Sequence, residues 1–209
     1  ITVANTNDAP VFTSMAITEA IEDVVYSYTV TAKDIDVGDT FSFAATTLPS
    51  WLTFDGTATI SGTPTNDNVG ANSVVLTVSD GTATVEMPFT LTVANTNDPP
   101  STFDLTSPLG VTLTDDIINF KWHFSEDVDI DDILNYIIYI EGSNSFYSDS
   151  LEDSNTHSIS ALDLINIASA TDFTFSALNG DLILELDWYV AVSDNIITTY
   201  SDTSTFKIS

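Results

Sequence analysis

Short runs of alternating apolar and polar residues, broken every few positions by Gly, Pro, Asn or Asp, cover most of the chain. Alternation puts every second side chain on one face of a pleated strand, so in the first half it predicts strands over residues 26–32, 40–44, 52–54, 58–61, 73–78 and 84–93. Turn signals at Asp55-Gly56, Gly62-Thr63-Pro64 and Asp80-Gly81 space these strands about a hairpin apart. The second half is less regular and predicts strands over 119–124, 134–140, 187–192 and 203–208, with Phe120, Trp122 and Phe124 on one face. Residues 161–170 lack alternation and read as a short helix crossing between sheets. The fold class expected is all-β, built from antiparallel sandwiches.

A repeat sets the number of sandwiches. The tract from Thr2 to Asp8 (TVANTND) returns letter for letter from Thr92 to Asp98, about 90 residues later, which is the spacing of a tandem domain array. The second copy closes a strand and runs into Pro99-Pro100, so the first copy reads as the last strand and linker of an upstream repeat. The expected organisation is residues 1–8 as the end of that repeat, 9–98 as one sandwich and 99–209 as a second, all within a longer repetitive polypeptide.

Charge narrows the partners. The chain has 31 acidic residues against Lys33, Lys121 and Lys207 and a formal net charge of −28. A phosphate backbone needs Lys or Arg to displace its counterions, which excludes nucleic acid, and anionic membranes fail for the same reason. No apolar run approaches the roughly 20 residues of a membrane helix, so membrane insertion is not expected. Cysteine is absent, which rules out disulfides and thiolate metal sites, while hard oxygen chemistry remains open.

The acidic residues cluster in register. Asp34-Ile-Asp36-Val-Gly-Asp39 matches Asp127-Val-Asp129-Ile-Asp-Asp132, and Val78-Ser-Asp80-Gly matches Val192-Ser-Asp194-Asn. Carboxylates packed on one tight turn repel unless a cation sits among them, and Ca²⁺ takes 6 to 8 oxygen ligands. In an antiparallel sandwich the chain swaps ends with every strand. Counting strands gathers Asn7, Asp8, Asp34, Asp36, Asp39 and Asp80 at one end of the first domain. The same count sends Glu19, Glu22 and Asp67 to the other end, toward Asn97, Asp98, Asp127, Asp129, Asp132 and Asp194 of the second domain, as a shared junction. The second acidic turn has two readings, a ligand loop or a solvated turn.

Several segments carry a family resemblance. Asn97-Asp98 before proline, Glu22-Asp-Val-Val-Tyr26-Ser-Tyr28, Asp34 to Asp39, Leu48-Pro-Ser-Trp51-Leu-Thr-Phe54, Ser61-Gly-Thr-Pro64 and Ser79-Asp-Gly81 resemble the dystroglycan-type cadherin-like, or "putative Ig", repeats of bacterial surface proteins. That resemblance implies a cadherin-like sandwich whose interdomain linkers bind Ca²⁺. The second half lacks the Leu-Pro-Ser-Trp and Ser-Gly-Thr-Pro segments. Its Phe120-Lys-Trp122 and Trp188 to Asp194 look more like a fibronectin type III or Ig-like module.

Two functions are expected from these features. The first is a non-enzymatic, calcium-binding extracellular segment of a surface or secreted adhesin-type protein, with neighbouring repeats as partners and surface glycans or cell-surface proteins as further ones. The alternative is a carbohydrate- or peptide-binding accessory module of a secreted hydrolase. Trp51, Trp122 and Trp188 could offer a sugar-stacking platform, but each sits in an apolar strand pattern that favours the core. His123 and His157, without cysteine, do not suggest a transition-metal site or a catalytic triad. Acids at domain ends of small sandwiches, with no deep cleft, argue against glycoside hydrolysis.

Overall fold

The structure is a computed structural model that describes residues 6–129, 132–142, 146–152, 154–169, 176–178 and 181–209. Residues 2–5 of the first repeat copy, Ile130 and Asp131 of the second acidic motif, and Ala170 at the end of the expected helix lie outside the described residues. The chain divides into two units, Ile1–Thr96 and Asn97–Ser209.

The first unit contains β1 (Val11–Phe12), β2 (Glu19–Ile21), β3 (Tyr26–Thr29), β4 (Ala32–Lys33), β5 (Ser42–Thr47), β6 (Thr53–Phe54), β7 (Thr59–Gly62), β8 (Gly70–Ser79) and β9 (Thr84–Ala94). One sheet has the order β2-β9-β8-β5 and another β3-β7-β6, with β1 and β4 forming a separate ribbon. Inward positions of the two larger sheets meet in a core of Tyr26, Tyr28, Val30, Ile60, Leu76 and Leu91, all buried. Gly62 is required here by space. A Cβ at this position would lie 2.0 Å from the Trp51 carbonyl oxygen, so only glycine lets β7 run beside that segment.

The second unit contains β10 (Leu105–Ser107), β11 (Thr112–Leu113), β12 (Ile117–Trp122), β13 (Asn135–Glu141), β14 (Phe146–Glu152), β15 (Thr156–Ser160), α1 (Ala161–Ser169), β16 (Ser176–Leu178), β17 (Asp181–Ser193), β18 (Thr198–Tyr200) and β19 (Ser204–Ile208). A β10-β12-β15 sheet faces a larger one ordered β11-β19-β17-β13-β14, with β16 and β18 also on β17. Trp188 and Phe120 fill the space between the sheets, their rings edge to face at 4.9 Å, and Phe206 packs on Phe120 at 5.4 Å. Burying each such side chain contributes roughly 1.5–3 kcal/mol. The helix starts at the residue expected, and its Leu164 is 2 % exposed in the same core.

Each unit divides its opening strand between two sheets. β1 pairs antiparallel with β4, after which the chain crosses and β2 runs parallel to β9, the last strand. Likewise β10 pairs antiparallel with β12, and β11 runs parallel to β19. Phe124 departs from the expected face. It lies beyond the end of β12 and is half exposed, because the chain turns at His123, whose N–H bonds the Asp104 carbonyl. The strands β14 and β15 were not expected from the sequence pattern.

Candidate metal centres

Both units position their acids with the same local devices. In the first, Asp34 Oδ1 accepts the Asp36 N–H at 3.0 Å, a side-chain turn that holds two carboxylates on one loop after β4. In the second, Asp127 Oδ1 accepts the Asp129 N–H at 3.0 Å. The loop after β8 carries Asp80, whose Oδ1 accepts the N–H groups of Thr82 and Ala83, both at 2.7 Å. Its counterpart Asp194, after β17, accepts those of Ile196 and Ile197, both at 2.6 Å. The following residue needs the left-handed backbone region, which Gly81 (φ 93°) and Asn195 (φ 77°) supply, glycine and asparagine being the residues that tolerate it. Ser79 Oγ accepts the Gly81 N–H and Ser193 Oγ accepts the Asn195 N–H, each at 3.1 Å, which fixes the turn from behind.

The chain segment leading into each unit docks on these loops in the same way. Asn7 Nδ2 donates to Asp80 Oδ2 at 3.0 Å and the Asp8 N–H to Asp36 Oδ2 at 2.8 Å. Asn97 Nδ2 donates to Asp194 Oδ2 at 2.9 Å and the Asp98 N–H to Asp129 Oδ2 at 2.8 Å. Ligand-type oxygens of Asp34, Asp39 and Asp80 lie within 4.8 Å of one another, as do those of Asp127, Asp132 and Asp194. The repeated tract and both acidic motifs therefore build one arrangement twice.

The carboxylates at these places are crowded, and two of them are buried. Asp129 and Asp194 are 7 % and 4 % exposed, and carboxylates so buried are ordinarily paired with a positive charge. The Asp39 carboxyl is pushed above its ordinary value by desolvation and by the negative charge of Asp34, Asp36 and Asp80. Hydrogen bonds from the Ala83 and Thr82 N–H groups and the Asn7 side chain hold Asp80 below its ordinary value. Burial pushes Asp194 up, but bonds from Asn97, Ile197 and Ile196 outweigh it and its value is lowered. Asp80 and Asp194 thus stay ionised inside groups that repel.

The donors fit a hard divalent ion. Asp34 Oδ2 and Asp127 Oδ2, equivalent atoms in the two units, are buried and accept no hydrogen bond. Oxygens that share a Ca²⁺ at about 2.4 Å can stand no more than about 4.8 Å apart, and those of both groups lie within that limit. The donor set is all oxygen, and no cysteine exists to favour a softer metal.

Of the remaining candidates, Glu22 is 2 % exposed and its Oε2 accepts the Thr96 N–H at 3.1 Å, close to the end of the first unit. Glu19, paired with Thr92, and Asp67, in the 3₁₀ turn Asn66–Asn68, are exposed. The serines behind each turn, Ser79 and Ser193, escaped notice in the sequence, although the repeated Val-Ser-Asp triplet carries them. Trp122 and Trp188 are buried, and Trp51, half-buried, donates to Asn72 Oδ1 at 3.1 Å. Among the described residues no helix is long and apolar enough to cross a membrane.

No curated protein matches the chain by sequence. Among solved structures, human protocadherin-24 EC1-2 (form II) is 13% identical, covers 97% of this chain and 100% of its own, and has a TM-score of 0.50. The endo-fucoidan hydrolase MfFcnA4 from glycoside hydrolase family 107 is 22% identical over 99% of this chain, with a TM-score of 0.38. This chain spans only 29% of that hydrolase. The chicken CNTN1 FN1-FN3 domains are 10% identical, covering 90% of this chain and 63% of their own, with a TM-score of 0.41. Such low identities speak to the fold alone. Residues 9–94, within the first sandwich, match the family model described as "Putative Ig domain".

Proposed function

We propose that the chain is a non-catalytic, calcium-binding segment of a secreted or cell-surface protein, in which one ion per unit ties the incoming chain to that unit's acidic loops. The observation that carries this reading is the duplication: Asn7, Asp8, Asp34, Asp36, Asp39 and Asp80 recur as Asn97, Asp98, Asp127, Asp129, Asp132 and Asp194 with the same hydrogen bonds. Asp34 and Asp127 each leave a buried carboxylate oxygen without a donor, and a cation would satisfy both. When bound, Ca²⁺ supplies positive charge and no reaction. Because Asn97 and Asp98 belong to the linker itself, an ion held there orders the linker against the second unit and stiffens a tandem array. Affinities typical of extracellular modules, about 10⁻⁴ to 10⁻³ M, suit a compartment rich in calcium. Neighbouring repeats of the same polypeptide are then its first partners.

Isothermal titration of the metal-free chain with CaCl₂ tests the reading. Two ions per chain in that affinity range, with weaker binding of MgCl₂, are expected. A flat titration at millimolar calcium refutes it.

A further inference from the structure

A second surface of the C-terminal unit has no part in ion binding. Side chains of β13 at 135, 137, 139 and 141 point away from the core, as do those of β17 at 187 and 189. On this outer face the register sets Tyr139 directly opposite Tyr189. Their rings stack in parallel, 12° apart in plane, with centroids at 4.8 Å. Tyr200, 57 % exposed on the adjoining β18, continues the row with its ring 6.3 Å from Tyr189. On the other side the strand partner of Tyr139 is Ser148, a short exposed side chain beside the Tyr139 ring.

A sheet needs no such row for stability, since a cross-strand aromatic pair contributes only about 0.2–1 kcal/mol. The long β8-β9 hairpin of the first unit manages with Ala71, Ser73, Thr84, Glu86, Thr90 and Thr92 at exposed positions. Polar groups converge beside the tyrosines as well. Tyr189 donates its hydroxyl to Glu141 Oε1 at 2.8 Å, and Asp187, paired with Glu141 across the strands, accepts the Thr205 hydroxyl. Burial, together with Glu141, pushes the Tyr189 phenol up to about 12, so it remains a hydrogen-bond donor at every physiological pH.

We propose that the face formed by Tyr139, Tyr189 and Tyr200 with Glu141 and Asp187 binds a neutral polysaccharide. The C–H faces of sugar rings stack on exposed aromatic rings, and the hydroxyls donate to the two carboxylates. Tyr139 and Tyr189 cover one face of each other, so the stacking positions left for a sugar are the Tyr139 face on the Ser148 side and the more exposed Tyr200 ring. Charge complementarity selects among glycans: two carboxylates at the site, on a chain of net charge −28, repel uronate and sulfate groups. The reading is independent of calcium, because the tyrosines lie on outward strand positions and the ion-site residues on loops.

Affinity electrophoresis of the whole chain through gels containing a neutral β-glucan, a neutral mannan, alginate or a sulfated galactan tests it, with and without EDTA. Retardation by at least one neutral polymer, persisting in EDTA, is expected. Y139A, Y189A and Y200A should each raise the dissociation constant at least tenfold while unfolding at nearly the wild-type temperature. Y189F, which keeps the ring and loses the bond to Glu141, should lose less than Y189A. The proposal is overturned if no neutral polymer retards the chain, if only the anionic ones do, or if the folded alanine variants migrate like wild type.

Discussion

Replacing Asp127 by Asn separates the two roles this carboxylate has, as a contributor to repulsion and as a ligand. Its oxygens lie in a group with Asp132 and Asp194, and its Oδ2 is buried without a hydrogen-bond donor. The amide keeps the shape and the Oδ1 acceptor for the Asp129 N–H, and removes one negative charge. In EDTA, Asp127→Asn should therefore melt at or above wild type. In calcium the order should reverse. An ion at a hundredfold excess over its dissociation constant adds about 2.7 kcal/mol to a unit that binds it only when folded. If loss of a charged ligand weakens binding about thirtyfold, the same linkage leaves roughly 0.9 kcal/mol, so the variant trails wild type by about 1.8 kcal/mol. For a unit of this size that is a gap of roughly 7–14 °C. Scanning calorimetry in EDTA and in 50 mM CaCl₂ (about a hundredfold over a 0.5 mM dissociation constant) reads both limbs, with Glu86→Gln, on an exposed position of β9, as control. Equal calcium dependence in variant and control would attribute the effect to overall acidity and refute a site at Asp127.

Gly62→Ala should destabilise the first unit by about 3 kcal/mol or more, since the added Cβ falls on the Trp51 carbonyl oxygen; an unchanged denaturation midpoint would contradict the close approach. Asp55 Oδ1 accepts the N–H groups of Thr57, Ala58 and Thr59, and these bonds hold its carboxyl well below the usual carboxylate range. Its folded value is depressed, so its contribution is complete above the ordinary aspartate value of about 3.9 and disappears as pH falls through the folded one. Acid titration of stability in EDTA should accordingly lose steepness below pH 4 in Asp55→Asn, and identical curves would count against the turn. Small-angle scattering should give a narrower distance distribution in calcium than in EDTA, because an ion at Asn97 and Asp98 orders the linker; superimposed curves alongside measured binding would confine the ion's effect to single units.

The legible parts of the fold were those where burial follows residue type. In β12 the buried positions are Ile118, Phe120 and Trp122, and the alternation is visible in the letters. In β14 and β15 the inward positions mix Leu151 and Ile159 with Tyr147, Asp149 and His157, the Tyr147 hydroxyl 3.2 Å from His157 Nε2 and Asp149 3.7 Å from Nδ1. Polar groups satisfied by one another can occupy an inward row, and a hydropathy pattern cannot register them. The acidic loops were legible because they repeat in register. What the letters could not convey is that one oxygen of Asp34 and one of Asp127 lack a donor, since that depends on loop closure. Tyr139 and Tyr189 are far apart in sequence and meet only through strand register. Attention to tryptophan alone misses them, because Trp122 and Trp188 are core residues.

The divided opening strand governs how each unit answers a pull on its two ends. β2 and β9 lie near the two ends of their unit and run parallel, held by bonds from the Thr92 N–H to the Thr18 carbonyl at 2.8 Å and from the Glu22 N–H to the Ala94 carbonyl at 3.0 Å. β11 and β19 repeat the arrangement, with the Lys207 and Ser209 N–H groups on the Val111 and Leu113 carbonyls at 2.9 and 3.1 Å. Tension that drags one strand back along the chain drags its parallel neighbour forward. The bonds between them are then loaded side by side and must fail together, whereas a hairpin opened from one end loses them one at a time. A pull on the two ends of either sandwich would therefore load these bonds in shear.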